Sequence, residues 1–207
     1  MEKGNQNQIQ AVIFDFGNVI YQFDNYLILQ GLSSLCGRSV GEFAALMGGS
    51  MLSTDYESGR IDSKRFLEGV SRLCGFPFEE TIFIRVFVEI FTPIESTLAL
   101  IRRLAPHYQL GLISNTNPWH FEYTIRPCEV FPLFDAVSVS HEVKVMKPDP
   151  RIYVDALNKL GLKAGACVFI DDRPEFVEAA SRLGLHGITY SSHENLITEL
   201  SALGVVV

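Results

Sequence analysis

Four places in this chain of 207 residues set polar side chains directly after short apolar runs, and their chemical types complement one another. Asp15 follows Ala11-Val12-Ile13-Phe14, Ser114-Asn115-Thr116 follows a second run, Lys147 lies beyond a third, and Asp171-Asp172 closes a fourth. Carboxylates, a hydroxyl, amides and an ammonium are the groups that hold a negatively charged ligand next to a hard cation. One group is missing. A phosphate-handling turn calls for a second carboxylate two residues after Asp15, and Gly17 stands there instead.

These side chains need a scaffold that brings four strand ends together. The runs at 110–114, 136–140, 166–170 and 187–190 resemble the opening one in being short and continuously apolar, as strands buried on both faces are. Helical patterns separate them. Ile94, Leu98, Ile101 and Ala105 recur at helical spacing, and Asp149-Pro150 form an N-cap and first-turn proline ahead of the stripe Ile152, Ala156, Leu157, Leu160, which stops at Gly161. Residues 172–184 repeat that design with Pro174 near the start, and Ser191 with Glu194 reads as a capping box for the last helix. The expectation is an α/β fold, a Rossmann-like three-layer sandwich around a parallel sheet. Ligands of such sheets bind beyond the carboxyl ends of the strands, where the four polar positions fall.

Between residues 24 and 92 the strand signals vanish. Ser39 with Glu42 reads as a capping box, and Phe66, Val70 and Leu73 as a helical stripe, so this segment is expected to be an all-helical cap inserted over the carboxyl edge of the sheet. The domain division is then 1–23 with 93–207 for the core and 24–92 for the cap.

Composition narrows the partners. A net charge of −7 opposes nucleic acid and anionic membranes, both of which reward a basic surface. Cys36, Cys74, Cys128 and Cys167 form no C-x-x-C pair, which favours free thiols over a zinc site or a disulfide framework. The polar start MEKGNQNQIQ carries no signal-peptide apolar region, and the most apolar stretch, 81–91, is too short to span a bilayer. A soluble cytoplasmic protein is expected.

The stretches FDFGNVI, LISNTN, VMKPDPRIY and FIDDRPEFVEAA resemble the four successive motifs of the haloacid dehalogenase superfamily, and the Gly-Asn-Val after the first Asp is similar to its glucose-1-phosphatase-like hydrolases with a small helical cap. The resemblance implies a Mg²⁺-dependent phosphatase acting on a small phosphorylated metabolite, with a sugar phosphate as one candidate. It implies Asp15 as nucleophile and Lys147 as its catalytic partner, with Ser114, Asn115 and Lys147 on the phosphoryl oxygens. Asp15, the Gly17 carbonyl, Asp172 and Asp171 would hold the metal, with Asp172 ranked above Asp171.

Two alternatives stay open. True haloacid dehalogenases also lack the second Asp, but they need no metal and tend to replace the acidic pair; a non-catalytic binding protein of the same fold is the other. The remaining candidates have ordinary readings. Lys144 suits a solvated surface, Arg173 could balance the acidic pair, and His107, His120, His141, His186 and His193 show no ligand spacing. Trp119 and His120 could reach the cap or simply pack.

Overall fold

β1 (Ala11–Phe14) is apolar at every position and completely buried, which a strand tolerates only at the centre of a sheet covered on both faces. The computed structural model, which describes residues 8–207, places it there. β1 pairs in parallel with β4 (Gln109–Ser114) on one side and β6 (Cys167–Asp171) on the other, and β5 (Ala136–Val139) and β7 (His186–Thr189) complete the five-stranded order β5-β4-β1-β6-β7. The order reverses between β1 and β6. Phe14 lies level with Leu112 of β4 and Ile170 of β6, so the residues that follow emerge side by side at one edge.

Alternate side chains of β1 feed two apolar layers, as the two-residue strand period requires. Val12 and Phe14 pack with Leu98 and Ile101 of α6 (Glu95–Leu104) and with Leu196 and Leu200 of α11 (His193–Ala202). Ala11 and Ile13 face Ile152 and Ala156 of α9 (Pro150–Leu160) and Phe176 and Ala180 of α10 (Pro174–Arg182). Asp149 caps α9, and Gly161 ends it at φ 68°, a left-handed conformation suited to glycine.

The segment between β1 and α6 holds β2 (Tyr21–Phe23), five helices and β3 (Phe91–Pro93). The helices are α1 (Asn25–Leu35), α2 (Val40–Gly48), α3 (Leu52–Glu57), α4 (Ser63–Cys74) and α5 (Glu80–Val88). The Ser39–Glu42 capping box opens α2. Tyr56, Phe66, Phe83 and Phe87 form an aromatic interior in which Tyr56 and Phe66 stack at 4.4 Å. Two short helices lie at the core's carboxyl edge: α7 (Pro118–His120), continued by a π turn over Phe121–Ile125, and α8 (Ser140–Val143). Trp119 of α7 inserts its ring into the aromatic interior, and its backbone N–H donates to the Tyr56 hydroxyl at 3.2 Å.

The structure corrects several expectations. The inserted segment is not bounded by helices alone, because β2 and β3 form an antiparallel ribbon with Phe23 opposite Phe91. These three-residue strands are too short to show a period. The last helix is capped by Ser192, whose Oγ accepts from Asn195 N–H, rather than by Ser191. The α4 stripe runs Phe66, Val70, Cys74, leaving Leu73 half-buried. Helix α10 begins at Pro174, since Asp171 still belongs to β6 and Arg173 N–H donates to the Asp171 side chain at 2.9 Å. Residues 1–7, within the polar start and the expected first core segment, lie outside the described residues. Among the described residues all four cysteines are free, and no helix is long and apolar enough to cross a membrane.

Candidate active site

Asp15 leaves β1 at the point where the strand order reverses, with its N–H still bonded to Ile170 O at 2.8 Å. Its side chain meets Lys147, which arrives from the loop after α8. Lys147 Nζ donates to Asp15 Oδ1 at 2.7 Å, to Asp171 Oδ2 at 2.5 Å and to Ile113 O at 3.4 Å, so all three ammonium protons are used. The rings of Phe169 and Phe176 lie 5.7 and 5.1 Å from the same nitrogen. The Lys147 backbone is fixed as well. Asn115 Oδ1 accepts from its N–H at 2.7 Å, while Asn115 Nδ2 donates to its carbonyl at 3.1 Å.

Three carboxylates face that single ammonium. Asp15, Asp171 and Asp172 bring oxygen atoms within 4.8 Å of one another, with Asp15 8% and Asp171 0% exposed. Burial raises the Asp15 carboxyl above its ordinary range, against the pull of Lys147. Burial, aided by repulsion from Asp15, pushes Asp171 up to about 7. Burial works against the Lys147 ammonium, yet Asp15 and Asp171 outweigh it and raise its pKa. A buried cluster with excess negative charge and hard oxygen donors fits a divalent cation. The two members of the acidic pair differ in their engagements. Asp171 is turned inward to Lys147 and Arg173 N–H, whereas Asp172 borders the cavity and accepts from Asn18 Nδ2 at 2.9 Å.

The cavity above these groups measures about 310 Å³ and is bordered by Asp15, Gly17, Ser114, Asn115, Lys147 and Asp172; of the site residues named from the sequence only Asp171, buried beneath Lys147, does not border it. Gly17 has a steric reason: a Cβ there would lie 2.7 Å from the Phe23 ring, which borders the same cavity. The other expected roles resolve individually. Arg173 pairs with Glu175 and covers Phe176 instead of neutralising the acidic pair. Lys144 is exposed, but its Nζ donates to Gly59 O of the insert at 3.0 Å.

His120 lies 4.5 Å from the Phe87 ring centroid and 5.0 Å from that of Phe91. Its Nε2–H donates to Phe87 O at 3.0 Å, which leaves Nδ1 to accept from Asn117 Nδ2 at 3.0 Å. Burial lowers its pKa to about 4, so the ring is neutral at physiological pH.

Sequence reasoning passed over Asn18, Asn25 and Glu57. Asn18, at φ 56°, sits in the left-handed region that Asn tolerates, and its place beside Gly17 was the available signal. Asn25 and Glu57 border the cavity from α1 and α3. Nothing local marks them, because the docking of the insert brings them there. Ser140 Oγ stands 2.6 Å from Glu57 O and also accepts from Thr116 N–H at 2.9 Å, tying that helix end to the loop after β4.

A doubly wound sheet with a carboxylate–lysine centre at its switch point, under an inserted helical segment, defines a class of α/β enzymes whose chemistry sits at the strand ends. The chain belongs to the haloacid dehalogenase-like hydrolases, whose family model matches residues 9–184. It is 39% identical over 61 residues to flavin mononucleotide hydrolase 1 of Arabidopsis thaliana, a match covering 30% of this chain and 25% of that longer protein. It is 23% identical to phosphatase MT3486 of Mycobacterium tuberculosis over 96% of this chain and 97% of the relative. Among solved structures, the HAD family enzyme bt-2542 of Bacteroides thetaiotaomicron, in complex with magnesium and inorganic phosphate, superposes with a TM-score of 0.79 at 21% identity, over 88% of this chain and 94% of that one.

Proposed function

We propose that this hydrolase is a Mg²⁺-dependent phosphatase of a small phosphorylated metabolite, of the glucose-1-phosphatase-like kind, with sugar phosphates among its candidate substrates. In this reading residues 1–23 and 93–207 form the catalytic core and 24–92 the cap. The observation that carries it is the Lys147 ammonium held between Asp15 and Asp171 beside the cavity-facing Asp172.

Asp15 Oδ attacks phosphorus in line, the bond to the leaving alcohol breaks, and an aspartyl-phosphate forms on Asp15; water then releases inorganic phosphate and restores the carboxylate. Lys147 holds Asp15 in place and offsets charge. Ser114 Oγ and the Asn115 N–H donate to phosphoryl oxygens, while the Asn115 side chain keeps Lys147 in register. Asp15, the Gly17 carbonyl and Asp172 would hold the cation, and Asp171 serves chiefly to orient Lys147. Mg²⁺ bound there supplies the positive charge that lets a carboxylate approach a phosphoryl group.

Gly17 offers no proton to the departing oxygen, so alcohols that leave as stable anions suit this site. The test is hydrolysis of 4-nitrophenyl phosphate with and without Mg²⁺. Turnover that requires both the metal and Asp15 supports the reading, and turnover indifferent to chelation sinks it.

A further inference from the structure

The reactive cavity is not the only space at the site. A second cavity of about 230 Å³ lies inside the helical insert, walled by Leu29, Leu32, Phe43, Met47, Phe66 and Phe83 among others. Asn25, Glu57 and His120 border both cavities and so form a neck between them. The two chambers differ in chemistry. The first mixes carboxylates, amides and Lys147 with apolar side chains such as Phe16 and Phe91, whereas beyond its polar mouth the second is walled mainly by aliphatic and aromatic side chains.

The neck is polar and only partly satisfied. His120 spends both ring nitrogens on Phe87 O and Asn117. Among the described residues, no hydrogen bond or ion pair reaches the Glu57 carboxyl or the Asn25 amide, although the Glu57 main chain is fixed by Ser140. Side chains without an intramolecular partner at the mouth of an apolar chamber can meet a ligand's polar atom without breaking a hydrogen bond inside the protein. Burial of Glu57 raises its pKa to about 7, so near neutral pH the carboxyl can accept from a hydroxyl or donate to one. An apolar cavity of about 150 Å³ already admits benzene. The insert chamber is larger and takes a ring with a short substituent, or a short alkyl chain.

We propose that the leaving alcohol of the substrate is bipartite, with a hydroxyl bound at the neck by Glu57 and Asn25 and an apolar ring or chain filling the chamber inside the insert. This rests on the phosphatase reading and narrows it to phosphomonoesters of amphiphilic alcohols or phenols, since a bare sugar phosphate would leave the inner chamber unfilled.

Trp119 provides a direct readout. It is the only tryptophan, and its ring centroid lies 5.5 Å from that of Phe83 and 6.1 Å from that of Phe66, both in the chamber wall. Phosphonates, whose C–P bond resists hydrolysis, are titrated with Mg²⁺ present. Hexylphosphonate should bind at least about tenfold more tightly than methylphosphonate, because each buried methylene contributes roughly fourfold, and should shift Trp119 emission. A 2-hydroxyl on the hexyl chain should add about fivefold, and Glu57→Ala should remove that increment. Leu29→Phe or, independently, Met47→Phe should reduce the hexyl-to-methyl ratio to near one by filling the chamber. Equal affinities with unmoved Trp119 emission overturn the proposal. So does a hydroxyl increment that survives Glu57→Ala. The outcome is separable from the phosphatase reading: hexylphosphonate binding without 4-nitrophenyl phosphate turnover fails only the latter, and turnover with equal affinities fails only the chamber.

Discussion

The two walls of the active site are built on opposite principles. On the sheet side the polar groups around Lys147 are engaged: Lys147 uses three protons, Asn115 binds both backbone groups of Lys147, and Asp171 accepts from two partners. On the insert side the interior is a stack of aromatic rings, and the polar groups at its rim, Glu57 and Asn25, are left open. A saturated network fixes geometry, as bond making at phosphorus requires. An apolar chamber with a few unspent polar groups selects by shape and contact, and can differ between relatives without disturbing the reacting atoms.

The sharpest way to separate these roles is to remove the nucleophile. Asp15→Asn should lower phosphate hydrolysis by at least about 10⁴-fold, while methylphosphonate still binds and the thermal midpoint does not fall. Stopped-assay rates and a melting curve check both. Retained turnover would move the chemistry away from the sheet side.

Next in size is the leaving-group effect. Rates for aryl phosphates of similar shape should rise steeply with phenol acidity, because Gly17 supplies no proton. Supplying a carboxyl by Gly17→Asp, combined with Phe23→Ala to relieve the 2.7 Å approach, should raise kcat/KM for the least acidic phenols by about 10²-fold and flatten the slope. A flat slope in the native protein would show that the insert contributes more than shape.

A third test addresses the network itself. Lys147→Ala strands two buried carboxylates and should cost about 3–5 kcal/mol of stability, measured by urea unfolding at neutral pH. The loss should shrink as pH falls below 7, where the Asp171 carboxyl, pushed by burial to about 7, takes up a proton and no longer repels Asp15.

The smallest effect belongs to the insert. Burial raises the folded Glu57 pKa to about 7 from 4.5, so its ionised form is disfavoured by folding. Its contribution is fully present below about pH 4.5 and is lost as pH rises through 7. Glu57→Gln should therefore stabilise the protein by about 1–3 kcal/mol at pH 8, and not at pH 4.5. Parallel melting curves at the two values decide it.

Much of the sheet side could be read from the sequence, because a parallel strand buried on both faces is a continuous apolar run and its reactive residue is the first polar one after it. Asp15, Ser114 and Asp171 all announce themselves in that way. The ribbon of β2 and β3 did not, since three residues cannot display a period of two. At the last helix, adjacent serines offered two cap positions, and only the backbone turn at Ser192 decides between them. Glu57 was silent for a deeper reason. It ends a six-residue helix like many surface glutamates, and acquires meaning only when Ser140 and Lys144 clamp residues 57 and 59 against the core.

Trp119 has a consequence for how the molecule comes apart. It is carried by the same loop that presents Ser114 and Asn115, yet its indole completes the interior of the insert. Neither unit can lose its packing while the other keeps its own surface covered. The free-energy cost of opening the insert alone includes tearing that indole out of its rings, which couples the two units into one cooperative transition. Amide exchange in α4 and β4 should accordingly slow together when phosphate analogues bind.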